Sequence, residues 1–83
     1  MRYLVHSEQR PDLTPAEIDR LYAAIADFYK AIPTEVVLET DYVKADQRGS
    51  YSVLSVPDRA SLDAIMAPFR GLVEVEIVEL LAS

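Results

Sequence analysis

The sequence predicts an α+β fold with the element order β-α-β-β-α-β, and three observations carry that prediction. Apolar residues alternate in four short stretches and recur at three- and four-residue intervals in two others. All five prolines and both glycines fall at the junctions of those stretches. The chain has no Cys and a single His, so neither disulfides nor a multi-histidine metal site can staple it. Apolar packing has to hold it together.

Residues 2–8 read as a first strand, with Tyr3 and Val5 on one face and Leu4 and His6 on the other. A polar connection, Glu8 to Asp12, follows. Thr14, Pro15 and Glu17 then form a helix start: a capping residue, a proline suited to the first turn, and the glutamate that completes a capping box. Ile18, Leu21, Tyr22, Ile25, Phe28, Tyr29 and Ile32 continue as one apolar stripe, and Pro33 disfavours helical geometry at Ile32. The helix is expected over 15–32.

Residues 36–44 read as a second strand with Val36, Leu38, Thr40 and Tyr42 on one face. Asp46-Gln47-Arg48-Gly49 supplies turn residues, and 50–56 returns as the third strand of a hairpin. A two-residue loop at Gln47 and Arg48 sets Tyr42 opposite Val53, so that Leu38, Tyr42, Tyr51 and Val53 share a face. A loop longer by an odd number of residues would break that arrangement. Asp58 is the expected cap of a second helix carrying Leu62, Ile65, Met66 and Phe69, frayed by Pro68 and stopped by Gly71. The last strand runs from Leu72 to about Leu80, with Val73, Val75 and Ile77 on one face.

Right-handed β-α-β crossovers place both helices on one side of a four-stranded antiparallel sheet, the ferredoxin-like arrangement. The other sheet face is then expected to carry Leu4, His6, Val37, Val43, Leu54, Val56, Val78 and Leu80. A patch that apolar marks an association surface, and a second copy of the chain would cover it. Eighty-three residues are enough for one domain, residues 1–83. A chain that short gains from oligomerisation. A homodimer through the sheet face is the expected partner.

The net charge of −6, with basic residues scattered rather than clustered, opposes binding to nucleic acid or anionic lipid. No stretch has the length or hydropathy of a membrane span, and the first six residues are too polar for a signal-peptide core. A cytoplasmic protein is expected, with no nucleic-acid or membrane partner.

Residues 49–80 resemble the muconolactone isomerase family and related small bacterial proteins of the dimeric α/β-barrel superfamily. The resemblance is carried by Gly49-Ser50-Tyr51-Ser52-Val53-Leu54-Ser55-Val56-Pro57, by Leu62 and Phe69, and by the acidic-apolar strand Val73-Glu74-Val75-Glu76-Ile77. It implies a dimeric α/β barrel and, more loosely, cofactor-free isomerase, cyclase or monooxygenase chemistry. It transfers no catalytic residue, and the Trp on which the superfamily's monooxygenases rely is absent here.

Among the residues themselves, the five tyrosines are expected in the layer between sheet and helices, where Tyr22, Tyr29, Tyr42 and Tyr51 could orient a planar oxygenated ligand. The plainer reading is that they fill the core and send their hydroxyls to its rim. His6 is the side chain whose ordinary pKa suits acid-base work at neutral pH, but alternation puts it on the dimer face, where a hydrogen-bonded interfacial histidine would serve equally well. Glu35, Glu39 and Asp41 would line one face of the second strand. Such charges commonly protect a sheet edge. Glu35, beside Pro33 at the mouth of the cleft, leads them as a candidate base. Ser52 and Ser55 lack a triad or nucleophile elbow, and no glycine-rich phosphate loop exists. The function expected from these residues is a cofactor-independent enzyme acting on a small aromatic, lactone or polyketide-like substrate in the cleft between sheet and helices. The alternative is a non-catalytic small-molecule-binding homodimer.

Overall fold

The computed structural model describes residues 1–81. Its elements are β1 (Arg2–Gln9), α1 (Pro15–Lys30), β2 (Val37–Val43), β3 (Gly49–Ser55), α2 (Arg59–Met66), a 3-10 turn (Ala67–Phe69) and β4 (Val73–Leu80). The four strands form one antiparallel sheet in the order β2-β3-β1-β4. This is the ferredoxin-like arrangement that the element order predicts.

Local chemistry explains most boundaries. The Thr14 hydroxyl accepts from the Glu17 N–H at 3.2 Å while the Glu17 carboxylate accepts from the Thr14 N–H at 3.0 Å, completing the capping box of α1. The helix closes at Ala31, whose N–H still reaches the Asp27 and Phe28 carbonyls. Ile32, next to Pro33, lies beyond it, so α1 stops short of its expected end. Asp58 caps α2 by accepting the Ser61 N–H at 2.8 Å. Pro68 sits in the 3-10 turn rather than in α2, and Gly71 takes the left-handed backbone (φ 82°) that ends the segment.

The core lies between the sheet and both helices. Tyr3, Val5, Val36, Leu54, Val56 and Leu62 form it, with Phe28, Ile32, Leu38, Ile65, Met66 and Ile77 packed against them. Tyr3 and Val5 therefore face the helices, as alternation in β1 requires.

The β2–β3 hairpin departs from expectation in its loop length and in a bulge, and the bulge reassigns the other side chains. The loop is longer than two residues: Lys44 pairs with Gly49, a turn from Lys44 to Gln47 precedes the left-handed Gln47 (φ 61°), and Tyr42 lies opposite Tyr51, not Val53. The extra length is even, so Tyr42, Tyr51 and Val53 still share a face. A β-bulge at Glu39, between the Leu38–Leu54 and Thr40–Val53 pairs, then reverses the strand's alternation. Leu38 faces the helices, while Thr40, Tyr42, Tyr51 and Val53 point away from them.

The expected outer face changes accordingly. Leu54 and Val56, at 3% and 2% exposure, belong to the chain's own core, and Val43 lines the helix side. Leu4, His6, Val37, Val78 and Leu80 keep their outward register, and Tyr42, Tyr51 and Val53 join them. Among the described residues, no helix is long and apolar enough to cross a membrane.

Candidate functional site

Packing two helices on one face of the sheet leaves a cavity between α1 and the strands. That cavity, of about 440 Å3, lies on the helix side near the β2–β3 hairpin. Its volume falls within the range of small-molecule sites. Leu21, Ile25 and Phe28 of α1 and Ile65, Met66 and Phe69 from the α2 end supply apolar walls. Val5, Leu38 and Leu54 form the sheet-side floor. The polar groups are few: Ser7 and Gln9 of β1, Ser50 and Ser52 of β3, Gln47 and Arg48 of the hairpin loop, and the α1 tyrosines Tyr22 and Tyr29.

The lining itself contains no carboxylate, but one lies directly behind it. The Glu39 bulge turns Asp41 toward the helices, opposite Ser52. Asp41 Oδ2 accepts from the Tyr29 hydroxyl, and Oδ1 accepts from Ser52 Oγ at 2.8 Å. The network joins α1, β2 and β3, and both of its hydroxyls line the cavity. Partial burial, and then the hydrogen bond and negative charge of Asp41, push the Tyr29 phenol up to about 12. Tyr29 is therefore a neutral donor at physiological pH, not a phenolate.

The remaining sequence candidates are distributed elsewhere. Tyr22 and Tyr29 line the cavity. Tyr42 and Tyr51 lie on the opposite sheet face, a correction that follows from the bulge. His6 is on that outer face too, stacked on Tyr51 with ring centroids 4.2 Å apart and planes 9° from parallel. Its Nε2 is 3.0 Å from Glu8 Oε1 and its Nδ1 is 4.0 Å from Glu76 Oε1. Lys44 Nζ meets the same Glu8 oxygen at 2.5 Å. The Lys44 hydrogen bond, followed by that of His6, holds the Glu8 carboxyl below its usual range. His6 is thus held in a polar outer cluster around Glu8, separated from the cavity by the sheet.

Glu35 is exposed and lines a different groove, between α1, the segment leading to β2, and α2. Glu39 pairs outward with Arg2 Nε at 2.9 Å. The three carboxylates expected on one face of β2 are therefore dispersed, and only Asp41 bonds to residues that line the first cavity. Tyr3 is buried, its hydroxyl 3.4 Å from Glu79, and burial followed by the Glu79 charge raises its pKa. Among the described residues, no three of His, Cys, Asp and Glu converge as a metal ion would require.

Sheet order, helix placement and a polar-tipped apolar cavity beneath α1 define a ferredoxin-like α+β protein with a built small-molecule-sized cleft. The chain belongs to the family described as Domain of unknown function (DUF3303), whose model matches residues 1–83. No curated protein matches it in sequence. Among solved structures it is similar to the crystal structure of muconolactone isomerase, with a TM-score of 0.74 and 22% identity. The match covers 100% of this chain and 91% of that one. At that identity the likeness speaks for the fold.

Proposed function

We propose that the cleft beneath α1 binds a small, mostly apolar, oxygenated molecule and moves a proton on it, as an isomerase or cyclase would, using side chains of this chain alone. The single observation that carries the proposal is the Tyr29–Asp41–Ser52 network at the wall of a mostly apolar cavity. Asp41 takes a proton from carbon next to a carbonyl, leaving an enolate. The neutral Tyr29 hydroxyl hands its hydrogen bond from Asp41 to the enolate oxygen. Return of the proton from Asp41 to a different carbon completes an isomerisation with no net change in atoms or electrons.

The test is deuterium exchange at carbon, followed by proton NMR in D2O, across a set of butenolides, cyclic enones and aryl ketones. Wild-type protein is expected to exchange at least one of them, and Asp41→Asn to slow that exchange by about 10²- to 10⁴-fold, the usual worth of a positioned base. His6→Ala is expected to leave it unchanged. Unaltered exchange in folded Asp41→Asn would contradict the proposal.

One observation favours a second reading, a binding protein without turnover. Both carboxylate oxygens of Asp41 already accept from hydroxyls of this chain, so neither is free to take a proton from a ligand unless one of those bonds opens. Binding of a probe in the cleft with no exchange at any carbon would select that reading.

The outer sheet face completes the proposal. Leu4, Val53 and Val78, with Tyr42 and Tyr51, form an apolar band flanked by the Arg2–Glu39 and Lys44–Glu8 pairs. Pairing with a second copy through this face would remove the band from water and leave both clefts open on the outside of the dimer.

A further inference from the structure

We infer that the cleft selects a small carboxylate, held at its hairpin end by the guanidinium of Arg48. The inference rests on the cleft being the ligand site proposed above. Arg48 is the one basic residue lining the cavity. The ion pairs among the described residues engage Arg2, His6, Arg10, Lys44 and Arg59, and none engages Arg48. In a chain of net charge −6, a cation held in no ion pair beside a mostly apolar cavity is a site for an external anion.

The nearest acid on its own loop is already committed. Asp46 Oδ1 accepts the Arg48 backbone N–H at 2.9 Å, and Asp46 Oδ2 lies 3.5 Å from Lys44 Nζ. The Arg48 N–H is the main reason the Asp46 carboxyl sits below its usual range, with Lys44 and the Arg48 charge contributing less. The guanidinium fork keeps its donors.

The backbone that carries Arg48 is pinned from both sides. Its N–H is held by Asp46, and its carbonyl accepts the Gln9 N–H of β1 at 2.7 Å. The next residue must be glycine, because a Cβ on Gly49 would strike the Ser7 carbonyl oxygen. Arg48 therefore projects from a fixed point at the rim of the cleft.

Position and charge narrow the ligand further. Ser52 follows Arg48 by four residues, roughly 13 Å of extended chain. A molecule the size of a substituted benzoate would lie within that span. The carboxylate would then lie on Arg48, with the amides of Gln9 and Gln47 beside it, and the far end would meet Tyr29 and Ser52. A single cation within a negatively charged protein suits a monoanion and disfavours a phosphate dianion.

Calorimetric titration with acid and amide pairs tests this: 4-hydroxybenzoate against 4-hydroxybenzamide, and cinnamate against cinnamamide. Wild-type protein is expected to bind at least one acid ten-fold or more tightly than its amide. Arg48→Ala is expected to abolish that preference without weakening the amide, and Arg48→Lys to retain part of it. Far-ultraviolet circular dichroism checks that each variant folds. Equal binding of acid and amide by wild type, or an acid preference that survives in Arg48→Ala, overturns the inference while leaving the cleft intact as a ligand site. Failure of all four compounds to bind wild type overturns the inference together with the reading on which it rests.

Discussion

At the scale of the residue, the chemistry of this protein concentrates on Asp41 and the two hydroxyls that hold it. Tyr29 is its sharpest reporter. Its pKa is raised from about 10 to about 12, so the folded value exceeds the unfolded one. The stabilisation carried by the neutral hydroxyl is therefore fully present below pH 10 and is lost as the pH rises from about 10 to about 12. Carbon-13 NMR of the tyrosine Cζ atoms is expected to show Tyr29 still protonated at pH 10.5. In Asp41→Asn its midpoint should move down toward 10 without reaching it, since burial is the larger cause and persists. A Tyr29 midpoint at 10 in both proteins would mean that the hydroxyl does not serve Asp41. Asp41 was within reach of sequence reading, as one of three acids on β2. Glu35 leads it in the sequence only by its place just after Pro33 and Thr34, which says nothing about which cavity it faces. Arg48 carried no signal beyond a turn residue. Its significance lies in the partner it lacks, and that is a property of the fold.

At the scale of the element, sequence and structure agree wherever a rule depends on nearest neighbours. The Thr14–Glu17 box, the Asp58 cap and the Gly71 stop are each written in three or four consecutive residues, and each is made. Strand parity in β1 is legible for the same reason, because Tyr3 and Val5 must share a face. Parity in β2 is not. One extra residue at Glu39 reverses every side chain that follows, and nothing in the run Leu38-Glu39-Thr40 announces it. The consequence reaches the site directly. The same bulge sends Tyr42 to the outer face and brings Asp41 inward to Tyr29 and Ser52. The hairpin loop shows a milder version. Its length differs from the two residues expected, yet by an even number, so the Tyr42–Tyr51 association survives while the exact pairing does not.

At the scale of the whole molecule, the sheet separates two surfaces. The helix side holds the cleft, and the outer side holds His6, Tyr51 and the apolar band proposed for pairing. If the outer band pairs two copies, Leu4→Glu, which puts a charge at its centre, is expected to shift sedimentation velocity from dimer to folded monomer. Wild-type protein that sediments as a monomer at all accessible concentrations would contradict the pairing. The proposed ligand site lies on the other surface. It is tested most directly by mapping amide chemical shifts as 4-hydroxybenzoate is added to isotopically labelled protein. Shifts are expected to cluster at Tyr29, Leu38, Asp41, Arg48, Ser52 and Leu54, on the helix side. Shifts clustered instead at Leu4, His6, Tyr51 and Val78 would place ligand binding on the outer face and contradict the account.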